Sequence, residues 1–261
     1  MKVADAARDV AAKTFIAASK PLKEALKSAN LLKTLKFNTL ISGEPGTGRH
    51  TLANLMMPNV PVIDGRDEEL YSSLEKNPQL IVEHFESIEL LPKFRQAVEK
   101  HGTQVVAIAE KGYEGAMRSF FSVHIELPPL KERPEDVPPL AEKFRRETLA
   151  QFGEEAEAPF VVDLKRLDLS KNAFSLRRSV VLQYLAWRIG EEELLTINES
   201  YIKRRMEEEE DLYRRLLYLY EVPLIRAGTK RYKSQVKMAQ LFGLNRNTLR
   251  KKINEWKDYL S

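Results

Sequence analysis

A glycine-rich loop at residues 43–51 most constrains what this chain can fold into, because it follows directly on the apolar run 37–41. Gly43, Gly46 and Gly48 fit the register of the phosphate-binding pattern G-x-x-x-x-G-K-[ST], in which backbone N–H groups turn inward around phosphate oxygens. Such a loop joins a buried strand to a helix whose N-terminus favours anions. An ordinary tight turn would explain the glycines but not their register.

The loop departs from this pattern at the two positions that carry its chemistry. Arg49 replaces the lysine that reaches the β- and γ-phosphates, and His50 replaces the Ser/Thr magnesium ligand. A guanidinium is a wide planar fork, whereas an ammonium is a compact point charge, so in-line phosphoryl transfer should suffer more than binding. The predicted nucleotide-binding residues of the loop are Gly43, Glu44, Gly46, Thr47, Gly48, Arg49, His50 and Thr51.

Apolar runs and helical patterns alternate around the loop. Strands are predicted at residues 37–41, 60–63, 79–85, 103–109 and 123–127. Strands that alternate with helices favour a parallel sheet with helices on both faces, so the predicted fold class is α/β. Beyond the proline-rich segment, helices are predicted at residues 140–152, 176–189 and 197–220.

Positive charge is concentrated at the C-terminal end. Residues 228–261 contain nine Lys/Arg and two acids, a balance of +7, so the formal net charge of +4 leaves −3 for the preceding residues. A basic end on a mildly acidic body is typical of an attached nucleic-acid-binding module. With no cysteine, disulfides and thiolate zinc sites are excluded. Residues 1–18 predict an amphipathic helix rather than a signal peptide or membrane span, so we expect a cytoplasmic protein.

The basic end has a helix-turn-helix pattern. Residues 234–243 predict one helix, Gly243 permits a turn, and Asn245 caps a second helix in which Leu249 faces inward. The predicted DNA-binding residues are Asn245, Arg246, Asn247, Thr248, Arg250, Lys251 and Lys252. Residues in the first turn are placed to read base edges in double-stranded DNA, and the later basic residues to hold phosphates. The alternative is a basic hairpin packed on the acidic run 207–211 of another subunit.

Three stretches together carry a family resemblance. They are G-E-P-G-T-G-R at residues 43–49, H-I-E-L-P-P-L-K-E-R-P-E-D-V-P-P-L-A-E-K-F at 124–144 and A-Q-L-F-G-L-N-R-N-T-L-R-K-K-I at 239–253. They resemble the G-E-S-G-T-G-K loop, the I-E-L-P-P-L-R-E-R-x-E-D-I-P-x-L-A-x-x-F segment and the Fis-type helix-turn-helix of the AAA+ activators of sigma-54 RNA polymerase, the nitrogen-regulatory-protein-C-like family. The middle match is the most specific.

The resemblance implies three parts and a set of ligands. Residues 1–130 would form a reduced AAA+ P-loop domain, 131–205 a helical lid, and 206–261 a Fis-type domain for DNA binding and dimerisation. ATP or ADP would be a weak or vestigial ligand, with Mg²⁺ only beside nucleotide and no other metal. In the family the helix before the DNA-binding pair dimerises, which implies a homodimer. Its face would comprise Leu212, Leu216, Leu219 and Tyr220. No receiver domain is expected.

The ATPase positions of the family are altered in this chain. Where a Walker B strand ends in Asp-Glu, the sequence has Glu83 and His84, so the magnesium ligand and the catalytic base are both changed. The sensor I asparagine falls at Glu110, an acid that would repel a γ-phosphate. Only the sensor II arginine is kept, at Arg177, which we therefore predict to bind nucleotide.

Two further parts of the family's machinery differ. The arginine-finger positions fall on Tyr113 and Ser119, with Arg118 one residue away as a substitute. The interval between residues 51 and 79 is too short for the G-A-F-T-G-A loop that contacts sigma-54. Any contact with RNA polymerase is therefore expected to use another route.

These observations favour a sequence-specific bacterial transcription regulator with a hydrolysis-deficient AAA+ domain. One alternative is an ATP-dependent sigma-54 activator with atypical catalytic residues. Another is a non-catalytic assembly partner that joins the hexamer of a full-length AAA+ activator.

Overall fold

The computed structural model describes residues 15–113, 118–206, 211–232 and 234–260. Its contacts divide the chain into two compact units, the first ending at Arg188 and the second beginning at Ile189. Most of the predicted N-terminal helix and residues 207–210 of the acidic run lie outside the described residues. Residues 15–18, the described end of that predicted helix, are not helical. The predicted domain boundaries at 130/131 and 205/206 stay predictions.

One five-stranded sheet forms the centre of the first unit. Its strands are β1 (Thr39–Gly43), β2 (Val62–Asp64), β3 (Gln79–Glu83), β4 (Gln104–Ala109) and β5 (Val123–Leu127). All neighbours are parallel, in the order β2-β3-β4-β1-β5. The predicted α/β class with a parallel sheet is confirmed. Strand β1 begins at Thr39 rather than at residue 37 and runs into Gly43 of the loop.

Helices cover both faces of the sheet, as the alternation of strands and helices predicts. The helices of this unit are α1 (Lys20–Leu32), α2 (Arg49–Met56), α3 (Leu70–Lys76), α4 (Leu91–His101), α5 (Val137–Gln151) and α6 (Ala173–Arg188). Successive side chains of a strand point to opposite faces. Accordingly, Ile41 packs with Leu22 of α1 and Leu52 of α2, whereas the adjacent Leu40 packs with Leu74 of α3 and Phe94 of α4.

The topology brings the candidate nucleotide residues to one edge. The carboxyl ends of parallel strands meet at the same edge of a sheet, where ligands of open α/β folds bind. Gly43 ends β1, Glu83 ends β3 and Ala109 ends β4. Helix α2 begins at Arg49, earlier than the predicted residue 51, so Arg49 and His50 form its first turn.

Helices α5 and α6 form a separate helical layer after the sheet. Leu130, Phe144, Leu176 and Tyr184 are buried together between them. Burying side chains of this size stabilises the folded state by about 1.5–3 kcal/mol each. This layer follows the proline-rich segment, where the sequence predicts that helices replace strands.

The second unit is entirely helical in its described residues. Its helices are α7 (Glu191–Met206), α8 (Leu212–Leu216), α9 (Tyr218–Arg231), α10 (Gln235–Leu241), α11 (Arg246–Glu255) and α12 (Lys257–Leu260). Its core contains Ile225, Met238, Ala239 and Leu249. No helix within the described ranges combines the length and apolar character that a membrane span requires.

Two predictions for the second unit were wrong. The continuous helix over residues 197–220 is interrupted, because Asp211 has a left-handed backbone with φ of 55°, which no α-helix accommodates. The sequence pattern of residues 234–243 also predicts that Val236, Ala239, Leu241 and Phe242 face the core, and two of these four positions are wrong. Val236 and Leu241 are 47% and 57% exposed, and Met238 packs in the core instead.

Candidate functional site

The glycine-rich loop has the curled backbone that its sequence predicts. Gly46 and Gly48 have φ of 80° and 108°, values that side chains rarely tolerate. A Cβ at Gly43 would lie 2.7 Å from the Leu127 carbonyl oxygen, so the close approach of β5 also requires glycine there. Within the loop, the Thr47 hydroxyl donates to the Glu44 carbonyl over 2.8 Å.

Arg49 is turned into the protein rather than left free at the loop. Its side chain is buried, and its guanidinium donates to the Ala109 carbonyl at the end of β4. Burial lowers the pKa of Arg49, an effect opposed by the nearby carboxylates of Glu86, Glu110 and Glu83. Arginine nevertheless stays protonated in proteins. Oxygen atoms of the protein itself therefore lie near the Arg49 guanidinium, which occupies the lysine position of the pattern.

The two positions that would hold magnesium are paired with each other. His50 Nδ1 lies 2.6 Å from Glu83 Oε1, which joins the Ser/Thr position of the loop to the metal-ligand position of β3. Mg²⁺ prefers an octahedron of oxygen ligands. A nitrogen already bonded to the carboxylate does not supply one, so these residues do not fit a magnesium site. Among the described residues, no three His, Cys, Asp or Glu side chains cluster as metal ligands.

The predicted catalytic-base position is also engaged. His84 Nδ1 lies 2.8 Å from Asp64 Oδ2, and the Arg66 guanidinium lies 2.6 Å from the same oxygen. The hydrogen bond from Arg66 holds the pKa of Asp64 well below its usual range. His84 has a left-handed backbone with φ of 48°. The His84 ring is therefore bonded to the carboxylate at the end of β2.

A buried hydrogen-bond network around Arg133 supports the glycine-rich loop. Arg133 Nη2 donates to the Thr47 carbonyl over 2.7 Å, and Arg133 Nη1 donates to Asp136 over 3.3 Å. Asp136 also accepts the Ser19 hydroxyl over 2.6 Å. Burial lowers the pKa of Arg133, and Asp136 opposes this shift. Arg133 and Asp136 belong to the stretch 124–144 that carries the most specific resemblance, so that stretch supports the loop.

Asn172, which the sequence reasoning missed, attaches the loop to the start of α6. Its Nδ2 donates to the Pro45 carbonyl over 3.0 Å and to Glu44 Oε2 over 3.1 Å. Its Oδ1 accepts the Leu130 N–H over 2.6 Å. The residue is buried with φ of 52°, a conformation that asparagine tolerates better than most residues. No pattern around residue 172 signals this contact.

Arg177, which the family resemblance predicts to bind nucleotide, contacts residues of the helical layer. Its guanidinium pairs with Glu147 of α5 and lies 5.1 Å from the centre of the Phe144 ring. The side chain is therefore held within the helical layer. Tyr113, at an arginine-finger position, packs edge-on against Phe85 at 5.7 Å. The Arg118 side chain lies outside the described part of the chain.

The basic end forms the helix pair that its sequence predicts. Asn245 precedes α11, and its Oδ1 accepts the Thr248 N–H over 2.8 Å, which satisfies one free donor of the helix end. Gly243 in the connecting turn has φ of 66°. Leu249 is fully buried against the core of the second unit. These contacts determine which face of α11 points outward.

The outward face of α11 is basic. Arg246, Asn247, Arg250 and Lys251 are exposed, and Thr248 is half-buried. Within the described residues, the three basic side chains of this group have no carboxylate partner. Lys252 differs, because its ammonium pairs with Glu221 of α9 and only a quarter of its side chain is exposed. The structure thus separates Lys252 from the other predicted DNA-binding residues.

Comparison with known proteins supports a relationship to AAA+ transcriptional regulators. No protein-family model matches the chain. The chain is 33% identical over 167 residues to the DNA-binding transcriptional regulator NtrC of Azospirillum brasilense, an alignment that covers 51% of this chain and only 35% of that relative.

Solved structures share the fold. NtrX from Brucella abortus in complex with ATP has a TM-score of 0.57 at 15% identity, covering 97% of this chain and 72% of that one. The ADP complex of the same protein gives 0.58 at 16% identity, with the same coverage of both chains. At this level of identity the likeness concerns the fold alone, a parallel sheet covered by helices and followed by further helices.

Proposed function

We propose that this chain is a sequence-specific, DNA-binding transcription regulator of the bacterial cytoplasm, whose AAA+ domain does not hydrolyse ATP. The observation that carries the proposal is the outward face of α11, where Arg246, Asn247, Arg250 and Lys251 are exposed while Leu249 anchors the helix. The name of the NtrC relative, a DNA-binding transcriptional regulator, supports the same function.

The chemistry of α11 suits a DNA major groove. Its first turn presents Arg246 and Asn247, side chains that can form paired hydrogen bonds with guanine and adenine edges respectively. Arg250 and Lys251 follow on the exposed face, where they would hold phosphates and orient the helix. A homodimer would present two copies of α11 to a palindromic duplex, with half-sites one helical turn apart.

The glycine-rich loop supports the absence of hydrolysis. In phosphoryl transfer the protein acts by positioning and by stabilising charge. Here Arg49 is bonded to the Ala109 carbonyl and His50 to Glu83, so both side chains are engaged by groups of the protein itself. Nucleotide, if bound, would be held weakly by the loop backbone. Contact with RNA polymerase would not use the usual sigma-54 loop.

Selection from a pool of random duplexes tests the DNA-binding function. The intact chain should recover one preferred, palindromic sequence, and its affinity for that duplex should fall steeply with salt as counterions are released. Recovery of duplexes with no shared sequence would contradict the proposal. A footprint on the recovered duplex would then give the half-site spacing.

An active ATPase is the second candidate, because the loop keeps its glycines in left-handed conformations and the NtrX structure was solved with ATP. Steady-state phosphate release with magnesium-ATP separates the two. We expect no release above background. Turnover at the rate of an ordinary enzyme, near the median of about 10 per second, would establish the alternative.

A further inference from the structure

A buried carboxylate joins α11 to the helix that precedes the pair. Glu221 in α9 is 7% exposed. It accepts hydrogen bonds from the Lys252 ammonium and, over 2.7 Å, from the Trp256 indole Nε1. An ionised carboxylate is an acceptor only, so it satisfies both donors at once. The contact spans elements that are distant in sequence but adjacent in the second unit.

The donors lie on the inward side of α11. Residues spaced by three and four positions share one face of a helix, so Lys252 and Trp256 align with Leu249, which is fully buried. Asn247 and Lys251, four residues apart, lie on the opposite, exposed side. The rotation of α11 about its axis is therefore set by the inward contacts, and the direction of the outward side chains follows from them.

Aromatic packing reinforces the attachment. The Trp256 ring lies 6.2 Å from Tyr218 of α9 and 6.2 Å from Tyr259 of α12, and the two tyrosine rings stack at 5.1 Å. Tyr218 also hydrogen-bonds Tyr201 of α7 over 3.3 Å. The end of α11 is thus held by polar and aromatic contacts from α9 and α12.

We propose that Glu221 is a positioning residue for DNA recognition. By holding Lys252 and Trp256, it fixes the rotation of α11 on α9 and so the direction in which Arg246 and Asn247 meet base edges. This inference rests on the proposed DNA-binding function. It assigns Lys252 to the fold of the second unit rather than to a phosphate contact.

The Glu221→Gln variant tests the positioning role, with Glu255→Gln as its matched control. Both remove one negative charge, but Glu255 is an exposed residue of α11. A glutamine places one NH₂ donor against Lys252 or Trp256, so one of the two bonds is lost. We expect affinity for the selected duplex to fall about tenfold, as for one mismatched base pair, while nonspecific affinity stays near the wild-type value.

Comparison of two lysine variants tests the assignment of Lys252. Lys251→Ala should reduce the slope of log affinity against log salt by about one, because a phosphate contact is lost. Lys252→Ala should weaken specific binding without changing that slope. An equal loss of slope in both variants would show that Lys252 contacts phosphate and would overturn the proposal, as would equal specific affinities of Glu221→Gln and Glu255→Gln.

A spectroscopic measurement separates this inference from the proposed function. Trp187 and Trp256 are the two tryptophans, so Trp187→Phe leaves Trp256 as a single reporter. In that background Glu221→Gln should shift the Trp256 emission and speed hydrogen exchange in α11, whereas Glu255→Gln should not. If the wild-type chain selects no duplex, the proposed function fails; if Trp256 and α11 do not respond to Glu221→Gln, the positioning inference fails.

Discussion

The glycine-rich loop and α11 both carry basic side chains where a phosphate could bind, but they differ in what satisfies the charge. At the loop, Arg49 is bonded to the Ala109 carbonyl and His50 to Glu83. On α11, Arg246, Arg250 and Lys251 are exposed and, in the described part of the chain, have no acidic partner. In one region the basic side chains are bonded within the protein, and in the other they are open to an external anion.

The difference between the loop and α11 indicates that a phosphate site needs side-chain donors without partners in the protein, in addition to a matching sequence pattern. A ligand phosphate at the loop would have to displace contacts that already satisfy Arg49 and His50. Because Arg49 is buried, moving its guanidinium away from the Ala109 carbonyl costs a hydrogen bond to a charged group. A phosphate at α11 would replace only water and counterions. We therefore expect the basic helix to be the better anion site, although the loop has the more specific sequence pattern.

The largest effect is expected from the core beneath α11. Leu249→Ala removes a fully buried side chain from the core of the second unit. It should lower the free energy of unfolding of that unit by about 3 kcal/mol and abolish DNA binding through loss of the folded helix pair. Denaturant melts followed by circular dichroism measure the change. Val236→Ala, at a 47% exposed position, should cost little; equal costs at both sites would contradict the assigned core.

Substitutions on the outward face of α11 should reduce DNA affinity in two different ways. Asn247→Ala should cost about 1–3 kcal/mol on the selected duplex and relax the preference at one base pair. Lys251→Ala should weaken binding to all duplexes by a similar factor. Anisotropy on the selected duplex and on single-base variants distinguishes the two. Loss of the same size on every duplex for Asn247→Ala would remove it from base recognition.

Restoring the phosphate-binding pattern of the loop should show whether the contacts of Arg49 and His50 within the protein hinder nucleotide binding. Arg49→Lys with His50→Thr supplies the lysine and hydroxyl of the phosphate-binding pattern and releases Glu83 from His50. Magnesium-ATP at several times its Kd should then raise the stability of the first unit by about 1 kcal/mol, but should leave the wild-type chain nearly unchanged. Thermal melts with and without nucleotide measure this. Equal stabilisation of both chains would show that the pairing does not hinder binding.

The smallest effect concerns acid sensitivity at the end of the edge strand β2. Because Arg66 depresses the pKa of Asp64, that carboxylate stabilises the fold at pH values above its ordinary pKa of 3.8, and the contribution falls as the pH drops below it. Asp64→Asn should cost less than about 1 kcal/mol at neutral pH, since the pair is partly exposed. The difference from wild type should vanish in acid. A constant difference down to low pH would contradict the ion pair.

Local patterns predicted those parts of the molecule that depend on local physics. The parallel sheet follows from apolar runs that alternate with helices. The cap at Asn245 and the turn at Gly243 follow from residue types that suit those conformations. The register of Gly43, Gly46 and Gly48 predicted the curled loop. In each case the signal is a pattern of residue types along the chain rather than a contact between two particular distant residues.

Contacts between distant residues were not predictable in the same way. Asn172 bonds the loop across more than a hundred residues of sequence, and Glu221 meets Lys252 from another helix. The pairing of Arg177 with Glu147 of α5 joins two helices that are well separated in sequence. The helix break at Asp211 depends on a single left-handed residue that helical periodicity does not reveal.

Binding of the selected duplex to the intact chain, measured by anisotropy without nucleotide and again with millimolar magnesium-ATP, tests the central claim most directly. If DNA recognition resides in α11 and the basic side chains of the loop are bonded within the protein, the affinity for the duplex should be the same in both conditions. Binding that requires ATP would contradict the claim, as would the absence of binding in either condition.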